Sequence, residues 1–332
     1  MNRSRVILYA ALSLYLAGFP ALSARASSVK LLKTLMSTKG SAALDAVTID
    51  AAGNIYLTQS NGGKKQGGSV VMLAQRQGVW TEALLHAFSP NDDGGSSPMG
   101  GVIIAPSGAI YGTTTTGGQY SSGTVYELSP NGNGTYTHSV IYMFPKQGSP
   151  QSGLATDAAG NLYGSATVGG GYGRGFVYEL SPSGGGSWQK QVLYEFGAPG
   201  DGATPVSTPR LDSVGNIFGS SEYGGQFGFG AVYELTKKSG GTWSSTIIYS
   251  FTGTGQDGGF PIGPVTLDAH GNVYATAFSG NTGKGSVVES TPLVGGGWST
   301  LLLHSFPSFT TDGQYVQGQL ALDSSGISME LR

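Results

Sequence analysis

An all-β fold is predicted by three observations on the sequence. A strand, a tight turn and a second strand recur as TIDAAGNIYLT from Thr48, IIAPSGAIYGT from Ile103, ATDAAGNLYGS from Ala155, RLDSVGNIFGS from Arg210 and TLDAHGNVYAT from Thr266. Every such segment is short, rich in Val, Ile, Leu, Tyr and Thr, and bounded by Gly, Pro, Asn, Asp or Ser, which is how strands are spelled. Beyond residue 26 no stretch carries the apolar period of a helix.

Each element of the repeat has its own reason. Strand A ends at a D-x-x-G turn, where the Asp carboxylate accepts nearby backbone N–H groups and Gly supplies positive φ without a Cβ clash. The aligned turn positions Asp50, Ala105, Asp157, Asp212, Asp268 and Asp323 stand 55, 52, 55, 56 and 55 residues apart. Strand B follows and stops at a Gly pair beginning at Gly62, Gly117, Gly169 or Gly224. Strand C is marked by GSVVML at 68–73, GTVYEL at 123–128, GFVYEL at 175–180, GAVYEL at 230–235 and GSVVES at 285–290. Strand D opens on Trp80, Tyr136, Trp188, Trp243 or Trp298 and runs into EALLHAF, HSVIYMF, KQVLYEF, STIIYSF or TLLLHSF. A lone D-like segment, VKLLKTLM from Val29, opens the series, and a lone A strand near 317–323 closes it.

A repeated four-stranded unit of this length is too long for one coil of a solenoid and slightly longer than common propeller blades. Antiparallel blades packed face to face cover both faces of each sheet and leave only short edges, so the expected architecture is a β-propeller. Five complete blades are expected at about 45–89, 100–145, 152–197, 207–252 and 263–307. A partial sixth would join 317–323 to the N-terminal strand 29–36, without its own B and C strands. The tail 324–332 departs from the turn pattern after Asp323 and reads as a truncation.

Composition narrows the function classes. Of 332 residues 57 are Gly and 15 Pro, a level that by itself points to low complexity, yet 39% are hydrophobic and the net charge is only -2. A disordered chain of the charge-repelled kind needs the opposite balance. With 17 basic and 19 acidic residues there is no field to gather nucleic acid or anionic lipid. The absence of Cys removes disulfides, thiolate metal sites and Cys nucleophiles. Arg3 and Arg5 precede an apolar run at 6–19, followed by Pro20 and the triplet Ala24-Arg25-Ala26. That order is the pattern of a secretory leader, with cleavage expected after Ala26, so residues 1–26 are read as an address and residues 27–323 as the repeat domain of an expected secreted monomer, extracellular or periplasmic, with no stable membrane insertion.

The segments GAIYGTTTTGGQYSSGTVYELSPNG at 108–132 and GNLYGSATVGGGYGRGFVYELSPSG, with the linking D-G-x-x-P at 201–205, resemble the GloVer tandem-repeat proteins of bacteria. The resemblance covers residues 30–323 and implies an exported repeat protein, with no one activity attached. Many members end in an anchoring segment, which this sequence lacks. The hairpin also resembles, more weakly, inner strands of NHL-type propellers and of lactonase or lyase propellers.

Chemistry-bearing motifs are sparse. His86 and His304 occupy a strand D position filled elsewhere by Tyr142, Tyr194 and Tyr249, which favours packing, and no metal-ligand spacing or nucleophile elbow appears. No catalytic residue, cofactor or metal is therefore expected. Glu127, Glu179, Glu234 and Glu289 recur in strand C and read as half-exposed strand residues. In an antiparallel A-B-C-D blade the B–C and D–A loops emerge on one face. There the sequence places Tyr120, Tyr172, Arg174, Tyr223, Phe227 and Phe229 after strand B, and Asp93, Asp201, Asp257 and Asp312 after strand D. Aromatics mixed with carboxylates suit an extracellular glycan or a peptide or protein partner. The expected function is binding or interaction; the alternatives are a lyase or lactonase propeller enzyme and a structural surface protein.

Overall fold

The computed structural model of the protein describes residues 5–8, 12–13, 30–35, 47–90, 93–254, 257–279, 285–306, 316, 318–323 and 326–329. Among them there is no helix, and the strands assemble into five four-stranded antiparallel blades in the order A-B-C-D. Blade two is representative: Ile103–Ile104, Ile110–Thr114, Thr124–Pro130 and Tyr136–Met143 pair each with the next. Strand A is two residues long in every blade, whereas strand D alternates between exposed and half-buried positions, as an outer rim should. Blade four carries an extra strand, Gly202–Pro205, which the repeat pattern does not announce. It has a partner because strand B there runs over Ile217–Gly224, eight residues against five in the other blades.

The D-x-x-G turn is built as its spelling requires. Asp157 Oδ1 accepts the N–H of Ala159 at 2.9 Å and of Asn161 at 3.0 Å, while Oδ2 accepts Asn161 Nδ2 at 2.8 Å and the Tyr163 hydroxyl at 3.0 Å. Asp50 and Asp268 make the same four bonds, and Asp212, followed by Phe218 rather than Tyr, makes three. Burial raises the Asp157 carboxyl, but these bonds outweigh it and hold the group below its ordinary value. In blade two, Ala105 keeps only the backbone bonds of this turn.

The hydrophobic core lies between blades. Tyr56, Val70 and Phe88 of blade one form one cluster with Val102, Ile110, Tyr126 and Leu128 of blade two, and each later seam repeats the arrangement. A hydroxyl near the end of strand B also reaches the next blade: Thr58 to Gly100 O, Thr113 to Ser152 O, Ser165 to Ser207 O and Ser220 to Gly263 O, at 2.6–3.0 Å. Thr276 repeats this with Gly318 O at 3.4 Å, ahead of the strand Ala321–Asp323. Leu35 packs on blade one, and Val316, Leu320 and Leu322 pack on blade five.

At the chain ends the pairing differs from the sequence reading. A strand Gly326–Met329 follows Ala321–Asp323 and pairs with it, although none was expected after Asp323. Gly326–Met329 also pairs with Leu12–Ser13, and Lys30–Thr34 pairs with Arg5–Leu8, both partners lying inside the segment read as a leader. The strand D positions of His86 and His304 do pack: each ring stands edge-on to the following Phe, at 4.6 and 4.5 Å, as Tyr142 does to Phe144 at 5.0 Å.

Candidate functional site

The B–C and D–A loops share one face. Backbone bonds stitch them together: Ser97 N donates to Gly67 O, Ser149 N to Ser122 O, Thr204 N to Arg174 O and Phe260 N to Phe229 O, at 2.7–2.8 Å. Each donor precedes a proline and has a left-handed φ, of 55°, 54°, 57° and 58° in that order. Proline disfavours the helical region for the residue before it, and left-handed backbone is strained for branched or bulky side chains such as Thr204 and Phe260. The blade seam holds them there. A Cβ on Gly175 or Gly230 would stand 2.5 or 2.4 Å from Pro205 or Pro261 Cδ, so the loop prolines press on bare backbone of strand C.

On this scaffold the B–C loops of blades two, three and four have equal length between their glycines, which brings Tyr120, Tyr172 and Phe227 to one equivalent position. All three rings are solvent-facing, with 49%, 65% and 48% of their surface exposed. Lys65 holds that position in blade one. Arg174, also exposed, sits with Tyr172 over the D–A loop at Gly197, where a Cβ would come within 2.5 Å of Tyr172 Cβ.

Two of the acids expected at the mouth turn the other way. Asp201 and Asp257 are buried. Asp201 accepts the Tyr194 hydroxyl at 3.0 Å and the N–H groups of Gly197 and Gly202 at 3.2 and 2.9 Å. Asp257 accepts the Tyr249 hydroxyl at 2.9 Å and the Thr252 N–H at 2.8 Å. The D–A reversal leaves amides and a strand D phenol needing an acceptor, and these carboxylates supply it. Asp93 is exposed, and Asp312 lies outside the described residues. Of the strand C acids, Glu127 accepts Ser129 Oγ at 2.7 Å and Glu179 accepts Ser181 Oγ at 2.8 Å within the strand, while Glu289 accepts the Tyr274 hydroxyl of strand B at 2.8 Å.

A second aromatic group gathers at the seam of blades four and five. Phe260 stands edge-on to Tyr223 and to Phe229, each at 5.7 Å between ring centroids. Tyr223 is 44% exposed and Phe260 and Phe229 are half-buried. Hydrogen bonding to the adjoining Glu222, ahead of that carboxylate's charge, raises the Tyr223 phenol. Phe260 and Glu222 were not among the residues expected from sequence. The signal for Phe260 was present, since it fills the position of Ser97, Ser149 and Thr204 before the loop proline.

Among the described residues no group of three or more His, Asp or Glu is placed to hold a metal ion, and no helix is long and apolar enough to cross a membrane. The family model described as the Gloeobacter/Verrucomicrobia repeat matches residues 103–329. The chain belongs to this repeat family. Comparison with curated proteins found no match. Among solved structures, a hypothetical selenium-binding protein from Sulfolobus tokodaii aligns with a TM-score of 0.59 at 12% identity, over 87% of this chain and 74% of that one. A gluconolactonase from Xanthomonas campestris aligns at 0.52 and 13% identity, over 88% and 84%. A polysaccharide lyase of the ulvan lyase type, bound to a saccharide, aligns at 0.53 and 15% identity, over 81% and 75%. At these identities the likeness is one of fold, and the member of the Gloeobacter/Verrucomicrobia repeat family described above is a β-propeller.

Proposed function

We propose that this repeat protein is an exported β-propeller that binds an extracellular glycan or peptide through the face carrying its B–C and D–A loops. One observation carries the reading: Tyr120, Tyr172 and Phe227 hold large rings half in solvent at one equivalent position of three successive blades. Folding does not require a ring there, because Lys65 fills the position in blade one, and exposed apolar surface of this kind marks interaction sites. With Asp201 and Asp257 used inside their own loops, recognition falls to the rings and to Arg174. The leader pattern around Arg3, Arg5 and Ala24-Arg25-Ala26 supports export.

The test is binding of the purified protein to glycan and peptide arrays, beside the variant with Tyr120, Tyr172 and Phe227 all changed to Ala. Specific retention that the triple variant loses supports the reading, and retention that it keeps overturns it. A second reading, an enzyme of the lactonase or lyase kind, rests on the fold shared with the gluconolactonase and the ulvan lyase. Turnover of gluconolactone or ulvan by the purified protein would establish it.

A further inference from the structure

The seam between blades four and five departs from the repeat in three places at once. Tyr223 occupies the position of Asn61, Thr116, Val168 and Ser279; Phe229 that of Gly67, Ser122 and Arg174; Phe260 that of Ser97, Ser149 and Thr204. The other blades form the same backbone bonds with small or polar residues, so these bonds do not call for rings, although Phe229 also packs on the core of this seam. Phe260 is moreover a bulky residue in left-handed backbone ahead of Pro261, where the other loops place Ser or Thr. Three independent substitutions toward aromatic side chains, from the end of strand B, the B–C loop and the D–A loop, converge on one partly exposed spot.

We propose that Tyr223, Phe229 and Phe260 form the principal subsite of the loop face, and that it takes a neutral saccharide stacked on the rings; this rests on the reading of the loop face as a binding face. The surroundings narrow the occupant. Backbone amides here are spent internally: Phe260 N on Phe229 O, Gly225 N on Asp201 O, Gly230 N on Gly224 O and Gly253 N on Gly258 O. These amides are therefore not free to pair with an added peptide strand. The charged side chain adjoining the rings is Glu222, whose carboxylate repels an acidic sugar and accepts hydroxyl hydrogens from a neutral one. An aromatic surface with a few polar groups at its edge matches the two-sided character of a pyranose ring, apolar C–H faces and hydroxyl rim.

The experiment uses residues the chain carries at the equivalent positions of other seams: Tyr223→Val as at Val168, Phe229→Ser as at Ser122 and Phe260→Thr as at Thr204. Full-length protein is run in affinity gels containing soluble neutral polysaccharides, such as a β-glucan and a galactomannan, beside an acidic one, pectate. The expected result is retardation by a neutral polysaccharide and not by pectate, weakened about tenfold by each of Tyr223→Val and Phe260→Thr with unchanged melting cooperativity; about tenfold corresponds to one lost ring contact. Retardation that survives these changes but is lost in the Tyr120→Ala, Tyr172→Ala double variant overturns the subsite and leaves the loop-face reading standing. Peptide binding without saccharide binding overturns the saccharide, and binding indifferent to all of these residues overturns both.

Discussion

Gly112 and Tyr126 face each other across strands B and C of blade two, and a Cβ placed on Gly112 would stand 2.3 Å from the Tyr126 hydroxyl oxygen. Gly164 with Tyr178 and Gly219 with Tyr233 repeat this pairing, at 2.3 and 2.4 Å. Blades one and five solve the same volume differently, with Leu57 opposite Val71 and Ala275 opposite Val288. A large residue on one strand is matched by a small one on its neighbour, as dense packing demands.

Gly112→Ala should therefore destabilise the protein by about 1–3 kcal/mol through overpacking. Combining it with Tyr126→Val moves the pair toward the Ala275–Val288 arrangement of blade five, so the double variant should lose less than the sum of the two single losses. Urea unfolding of the four proteins measures the coupling. Strict additivity would show that the two positions do not share a volume.

The Tyr126, Tyr178 and Tyr233 hydroxyls are fully buried and meet no hydrogen-bond partner among the described residues. Burial also pushes all three phenols up, away from ionisation. Because an unpaired buried hydroxyl carries its desolvation cost uncompensated, Tyr178→Phe should leave stability unchanged or raise it by about 1 kcal/mol. A lower thermal midpoint for Tyr178→Phe would contradict this account.

His86 of blade one stacks on His138 of blade two, with ring centroids 4.2 Å apart and planes 13° from parallel. Burial first, then the charge of His138 and of Lys65, pushes the His86 imidazole down to about 3. The folded protein thus keeps His86 neutral where the unfolded chain protonates it at about 6.5. Stability is fully present above the unfolded value and is lost as pH falls from there toward 3. Because the site is partly open to solvent, the slope should stay below about 1 kcal/mol per pH unit. His86→Tyr, which installs the residue that blade two carries as Tyr142, should flatten the dependence between pH 6.5 and 4.5. Urea midpoints at the two pH values test this, and equal slopes for both proteins would remove His86 as the source.

Asp157→Ala should cost about 1–2 kcal/mol, since it removes the acceptor for two backbone amides and the Tyr163 hydroxyl. The turn itself should survive, because blade two makes it with Ala105. As the Asp157 carboxyl lies below its ordinary value when folded, its contribution is present above the unfolded value and lost as pH falls through the lower folded one. Acid titrations of the wild type and Asp157→Ala should accordingly diverge least at the acid end. A constant gap across the titration would exclude an ionic contribution.

Much of the fold could be read before any coordinates. Asp157, Gly160 and Asn161 spell their turn within five residues, and their bonds close within it, so spelling and structure correspond. The mouth was harder to read. Asp201 and Asp93 both stand beside a Gly in a D–A loop, yet the first is buried against Tyr194 and the second exposed: Asp201 lies four residues before its loop proline and Asp93 five, and blade one carries His86 where blade three offers a phenol. The strand Gly202–Pro205 is not legible in the sequence, because its partner is the far end of a strand whose extra length has no marker of its own.

The sequence by itself determined the repeat, its strands and turns, the family, and which loops would carry aromatic rings, since these depend on hydrogen bonds and side-chain alternation within a few residues. Only the tertiary structure decided that His86 meets His138, that Asp201 and Asp257 turn inward, and that Phe260 joins Tyr223 and Phe229. The first and the last of these join different blades or loops far apart in the chain through the face-to-face packing of whole sheets, which no local pattern encodes, while Asp201 and Asp257 meet strand D phenols seven and eight residues away through the path of the D–A loop.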